Sequence, residues 1–217
     1  TGAQVFHSLT KLKLRMALRQ VNVPISVSEW GASWASDRDI NFAPMAGSFV
    51  FEFVRVMLQT EISDAIFLAL SEFISEKVPV LYALDGTSTH SMKAMLLLSS
   101  LDGDVLSCET SLPSISCLAV KSPSDNISVI LWYFDWWQDQ ISSKVLTKFN
   151  IRVAANVYGL QSVRYAGSIS RISTHSSNDS CPCPLGAVNA FNTSSIQLPG
   201  VDMRYGDYIL LTVSAAN

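Results

Sequence analysis

The tetrapeptide Ser28-Glu29-Trp30-Gly31 carries the sharpest chemical signal in this chain of 217 residues. It closes an apolar run that starts at Ile25, just after Pro24, so Glu29 falls at the carboxyl end of an expected buried strand. Strand ends of that kind project into the loop-walled mouth of an α/β barrel, where reactive groups are kept. Glu29 is therefore a candidate nucleophile; the plain alternative is a carboxylate that ends a strand and meets solvent or caps the next turn. Other chemistries find less footing. His7, His90 and His175 share no metal-ligand spacing, with His175 read as a solvated loop residue, and Asp102-Gly103-Asp104 reads as a turn and not a calcium loop. Neither a phosphate-cradling Gly-rich loop nor a Gly-x-Ser-x-Gly elbow occurs. No metal and no cofactor is expected.

Composition narrows the classes further. Hydrophobic residues make up 48% of the chain and charged ones 15%, which excludes a disordered tail and implies strands covered on both faces. Fifteen Lys and Arg stand against eighteen Asp and Glu, a net charge of -3, so the basic excess needed to bind a phosphate backbone is missing and nucleic acid is not an expected partner. The longest apolar stretches are interrupted, as by Glu52, Arg55 and Gln59, which argues against a membrane span. Between Thr1 and Gln20 the cations are scattered through the periodic residues, unlike a signal peptide, so an exported protein would be represented here by a mature or internal piece.

The elements that must position Glu29 follow from periodicity. Val5, Leu9, Leu12 and Met16 share a helical face, with Lys11, Lys13, Arg15 and Arg19 over much of the rest, which predicts an amphipathic helix packed on a sheet. After the strand at 25–31, a polar loop from Ala32 to Asn41 leads to a second helix marked by Phe42, Met45, Phe49, Phe53 and Val56. A short apolar strand at Asp64–Leu70 and a third helix at Met92–Leu101 follow. Helix and strand in alternation predict a parallel sheet with crossover helices over 1–104. From 105 to 217 the period changes to short β-rich runs at Ile115–Val120, Val129–Phe134, Val145–Val157, Val163–Tyr165 and Tyr208–Val213, the pattern of an antiparallel sandwich. The boundary is placed in Leu101-Asp102-Gly103-Asp104-Val105. Trp136 and Trp137 read as a cover for the sandwich or its docking point on the first domain, with a sugar platform as the alternative.

Four cysteines allow three complete pairings. Cys108 and Cys117 are spaced for a bridge across a hairpin, whereas Cys181 and Cys183 stand too close to pair easily with each other. All four read as disulfide candidates, with buried free thiols as the alternative. Asn126, Asn178 and Asn192 each head an Asn-x-Ser/Thr triplet, in the same half that holds the cysteines. Both signals point to a secreted, extracellular or lumenal, lysosome-like protein.

The ordered series now resembles a known family. Glu29-Trp30-Gly31, a polar loop, an aromatic-rich helix and a strand ending Leu70-Ser71-Glu72-Phe73-Ile74-Ser75-Glu76 are similar to the last two barrel strands of glycoside hydrolase family 39, which includes β-xylosidases and α-L-iduronidases. That family typically has Thr-Glu-Trp followed by Asn or Gly on its seventh strand, then Ser-Asp-x-Phe-Glu-Glu, then Gly-x-Pro-Lys-Pro-x-Tyr-x-Ala opening its eighth helix. Asp85-Gly86-Thr87-Ser88-Thr89-His90-Ser91-Met92-Lys93-Ala94 is similar in outline but lacks the prolines, and Glu72 replaces Asp. The family's C-terminal β-sandwich is resembled by Val129-Ile-Leu-Trp-Tyr-Phe-Asp135 and by Val163-Arg-Tyr165 ahead of a loop that ends at Asn178.

This resemblance implies terminal βα units of a (β/α)8 barrel followed by an antiparallel β-sandwich. It also implies a retaining glycosidase with Glu29 as nucleophile and a carbohydrate as substrate. Trp30 and Trp34 would stack on a sugar face or pack, and Glu72 would bond sugar hydroxyls or form a surface ion pair. The family's acid/base glutamate belongs to an Asn-Glu pair on the fourth strand, and no Asn-Glu occurs in the chain. A closed barrel takes about 200 to 250 residues, so an upstream segment or a second chain is expected to complete it. The alternative is a non-catalytic carbohydrate-binding or structural extracellular protein on the same scaffold.

Overall fold

The computed structural model describes residues 2–32, 42–67, 69–71, 80–110, 112, 114–134, 145–154, 165–172, 183–191, 195–204 and 206–215. The chain divides into two compact units, Thr1–Leu98 with Phe134–Ile141, and Ser99–Tyr133 with Ser142–Asn217. Among the described residues no helix is long and apolar enough to cross a membrane.

The first unit alternates helix and strand. Helix α1 (Gly2–Leu18) packs along α2 (Pro44–Thr60). Its least exposed described positions are Leu9, Lys13 and Met16, spaced i, i+4, i+7, while Leu12 is 44% exposed. The inward stripe thus runs through a lysine that the hydrophobic pattern excludes. Lys13 Nζ lies 2.6 Å from Glu61 Oε2, which satisfies the charge at the edge of the contact.

Helix α2 starts with Pro44 in its first turn, where the missing N–H costs nothing, and stops at Glu61 in the left-handed conformation (φ 51°, ψ 42°). Between these ends Ala46 to Phe53 are all buried, Ser48 and Glu52 included. Arg55 donates to both carboxylate oxygens of Glu52 at 3.1 and 2.5 Å, so the buried charge is paired.

Strand β1 (Ser26–Trp30) pairs in parallel with β2 (Asp64–Phe67), and α2 forms the crossover between them in sequence. Asp64–Leu70, expected as one strand, is described as β2 and β3 (Ala69–Ser71), with residue 68 outside the described residues. Strand β3 pairs in parallel with β4 (Val80–Tyr82), an element too short for its pattern to be noticed in sequence. Helix α3 (His90–Ser99) begins two residues earlier than expected because Thr89 caps it. The Thr89 hydroxyl accepts from Met92 N–H at 3.4 Å and lies 2.8 Å from the Val80 carbonyl, tying β4 to the helix start.

The second unit holds a six-stranded antiparallel sheet in the order β10-β9-β12-β7-β6-β5 and a separate two-stranded ladder, β11-β8. Its strands are β5 (Asp104–Leu106), β6 (Ile115–Lys121), β7 (Ile127–Tyr133), β8 (Val145–Ala154), β9 (Tyr165–Ile172), β10 (Cys183–Phe191), β11 (Ser195–Arg204) and β12 (Tyr208–Ala215). Ile130, Leu131, Trp132 and Tyr133 are buried in succession, so both faces of β7 are covered, as the continuous apolar run implies.

Cys108 and Cys117 form a disulfide with Cα atoms 5.9 Å apart, joining the segment after β5 to β6. Cys181 lies outside the described residues, and Cys183 begins β10. Gly103 precedes β5 at φ 134°, and a Cβ there would sit 2.0 Å from the Lys121 carbonyl oxygen, so the approach of the two backbones requires glycine.

Strands β10 and β11 escape the sequence pattern because Pro184, Gly186, Pro199 and Gly200 interrupt them. The ladders accommodate these residues with register shifts between Pro184 and Gly186 and between Leu198 and Val201.

Candidate functional site

Strand β1 carries the candidate site, and its pairing is irregular at Ser28 and Glu29. Val27 pairs with Ala65 and Trp30 with Phe67, so two residues of β1 stand opposite the single Ile66 of β2. A regular strand would alternate inside and outside, but here Ser28 and Glu29 are both exposed and Trp30 is buried. An extra residue of this type re-aims a side chain, and such bulges recur beside active sites. The Glu29 carboxylate is thus presented to solvent at the end of a parallel strand. None of the described residues bonds to it.

Trp30 immediately behind it is held from several sides. Its ring stacks on Phe53 at 4.3 Å between centroids and 8° between planes. Phe67 meets it edge-on at 4.9 Å and 84°, and Phe49 lies tilted at 6.1 Å. Phe49 in turn meets Phe53 at 6.1 Å and Phe134 at 6.2 Å. Rings in stacked and edge-to-face contact add to the stabilisation expected from area alone. Trp30 is 7% exposed, so its faces serve packing, and its buried Nε1 has no hydrogen-bond acceptor among the described residues.

The cluster couples β1, β2 and α2 around the residue that follows Glu29. Phe49 and Phe53 stand four apart on α2, a spacing visible in the sequence, but their meeting with Trp30 depends on the crossover geometry and is not.

The remaining expected site residues are distributed as follows. Trp34 and Glu72 lie outside the described residues, as do Trp136, Trp137, His175, Asn178 and Asn192. Asn126 closes the β6–β7 hairpin. His7 is exposed on α1, and His90 is buried at the start of α3. Among the described residues no group of His, Cys, Asp and Glu is arranged to hold a metal ion.

The Asp85-Gly86-Thr87 turn that leads to α3 is held by the Asp85 carboxylate, which accepts from Thr87 N–H at 2.9 Å and from the Thr87 hydroxyl at 2.6 Å. Gly86, at φ 80°, supplies the left-handed step of this turn.

No protein-family model matches the chain, and no curated protein sequence matches it at a significant level. Solved structures do match. A monomeric beta-xylosidase from Caulobacter crescentus superposes with a TM-score of 0.72 at 13% identity, over 100% of this chain and 51% of its own. The GH39 enzyme from Xanthomonas axonopodis pv. citri gives 0.68 at 12% identity, over 90% of this chain and 45% of its own. A glycoside hydrolase family 44 endoglucanase from Clostridium acetobutylium gives 0.64 at 15% identity, over 95% of this chain and 35% of its own. At this identity the likeness is one of fold. The chain is folded like part of a glycoside hydrolase and spans about half, or less, of the length of the structures it matches.

Proposed function

We propose that this chain is the C-terminal part of a retaining glycoside hydrolase similar to family 39, comprising terminal βα units of a barrel and a β-sandwich. The single observation that carries the proposal is the bulge on β1, which exposes the Glu29 carboxylate at the end of a parallel strand while the next residue, Trp30, is locked in the aromatic cluster. Glu29 attacks the anomeric carbon of a glycoside, the glycosidic C–O bond breaks, and the leaving oxygen takes a proton from a second carboxyl group. Water, deprotonated by that same group, then cleaves the glycosyl ester. In a retaining site the two carboxyl groups stand about 5–5.5 Å apart.

The second carboxyl comes from residues outside this sequence, which holds no Asn-Glu pair. Ile66, Leu70 and Val23, each more than half exposed, are apolar surface that a preceding part of the protein would cover. Trp30 acts as the anchor behind Glu29, and Trp34 and Glu72 contact the sugar.

The test is Glu29→Gln in the protein assembled with its upstream part. The carboxamide keeps the shape and removes the nucleophile, so turnover of an aryl glycoside falls by three or more orders of magnitude while the assembly remains intact. Full residual turnover overturns the proposal. The absence from the assembled protein of any upstream segment with an acidic residue at a strand end would favour the second reading, a non-catalytic carbohydrate-binding or structural scaffold.

A further inference from the structure

We propose that Asn126 carries an N-linked oligosaccharide. The triplet Asn126-Ile127-Ser128 meets the acceptor requirement of an asparagine two residues before a hydroxyl, with no proline between. Sequence alone gives it equal standing with Asn178 and Asn192; the hairpin that joins β6 to β7 sets it apart.

In that hairpin the turn is held mainly through the backbone of Asn126. Asn126 N–H donates to the Ser122 hydroxyl at 3.1 Å, and its carbonyl accepts from Ser122 N–H at 2.8 Å. Asp125 takes the left-handed conformation at φ 62°, donates through N–H to the Ser122 carbonyl at 3.0 Å, and pairs with Lys121 at 2.8 Å. The side-chain amide of Asn126 makes an exposed bond at 3.0 Å to the Ser124 hydroxyl. Pro123, Ser124 and Asp125 beside it are exposed, and Asn126 itself is half-buried. An amide nitrogen has two hydrogens. Attachment of a sugar consumes one and leaves the other for Ser124, so a glycan costs this turn none of its bonds.

A second, independent observation concerns the compartment. Cys108 and Cys117 of the same unit are joined as a disulfide. Such bridges form and persist in oxidising compartments, among them the endoplasmic reticulum lumen. A chain that acquires this bridge there is also exposed to the glycosylation machinery.

The position of Ser128 fixes the order of events. It lies in β7 opposite both Val120 of β6 and Thr212 of β12, so the triplet is open to an enzyme only before the sheet forms. Transfer therefore precedes folding. The co-reactant is a lipid diphosphate-linked oligosaccharide: the Asn126 Nδ2–C1 bond forms as the sugar C1–O bond to phosphate breaks. The lipid diphosphate departs with the electron pair, and Nδ2 gives up one proton.

The experiment is peptide mass spectrometry of the full protein secreted from a eukaryotic cell, before and after peptide N-glycosidase. The inference predicts a glycan on the peptide containing Asn126 and its conversion to Asp on enzymatic release. It also predicts loss of that glycan in both Asn126→Gln and Ser128→Ala, the latter leaving the asparagine and its turn intact. Molecules that contain the Cys108–Cys117 bridge yet an unmodified Asn126 overturn the inference, as does a protein recovered with free thiols at both positions and no glycan. The readout is independent of hydrolytic activity, so an inactive but glycosylated protein would overturn only the enzymatic proposal.

Discussion

The rings of Trp30 and Phe53 lie 4.3 Å apart and within 8° of parallel, joining the strand that presents Glu29 to the helix that follows it. The stack makes α2 the support of the candidate nucleophile: a shift of the helix would move Trp30, and with it the bulge one residue upstream.

Truncating the stack should therefore affect stability and catalysis together. Phe53 is buried, and Phe53→Ala is expected to cost about 3–5 kcal/mol, the usual range for a buried aromatic reduced to alanine. Urea unfolding of the assembled protein followed by tryptophan fluorescence measures the loss. Phe53→Leu refills much of the volume and should recover more than half of it. In the folded fraction of Phe53→Ala, kcat should fall more than KM rises, because Glu29 would lose its position and the sugar contacts would not.

A smaller effect is expected at the entrance of α3. Thr89→Val keeps the shape but removes the hydroxyl that caps the helix and the bond to the Val80 carbonyl. The expected loss is about 1–2 kcal/mol, from one cap and one buried carbonyl left without its partner. Thr89→Ser should retain most of the wild-type stability in the same denaturation assay. A loss in Thr89→Ser as large as that in Thr89→Val would show that the methyl group contributes as much as the hydroxyl.

The contact between α1 and α2 should depend on pH. A hydrogen bond from Lys13, and then its charge, hold the Glu61 carboxyl below its usual value of 4.5. A carboxyl whose pKa is lowered in the folded state stabilises that state fully above 4.5, and the contribution disappears as pH falls through the lowered value. Glu61 is fully exposed, so the effect is small and screened by salt. Hydrogen exchange at α1 amides should be slower in wild type than in Glu61→Gln at neutral pH and low salt. The two proteins should converge when the pH is taken well below 4.5 or the salt is raised. A difference that persists in acid would exclude the ion pair as its source.

The Glu29 strand, the aromatic stripe of α2 and the change to antiparallel pairing in the second half were all legible in sequence, because each is a local pattern of spacing. What remained hidden depends on partners far along the chain. The α1 stripe includes Lys13 only because Glu61, 48 positions away, accepts its charge. The bulge at Ser28 and Glu29 exists only relative to Ile66 on a strand beyond a whole helix. Strands β10 and β11 were obscured by Pro and Gly, whose local preference is overridden by ladders that shift register around them. At the candidate site, Glu29 is exposed at the end of its strand, and Trp30, for which the sequence offers stacking on a sugar or packing, is buried among phenylalanines.

Strand β12, formed by Tyr208–Ala215, lies between β7 and β9, near the middle of the six-stranded sheet, although it is made after all the others described. During synthesis, β7 must wait for a neighbour encoded about 75 codons later, and its buried row from Ile130 to Tyr133 stays uncovered on that side until the ribosome has released it. A nonsense mutation just before Tyr208 would thus be as damaging as one far upstream, and the interval before β12 arrives is when this half of the molecule most needs a chaperone.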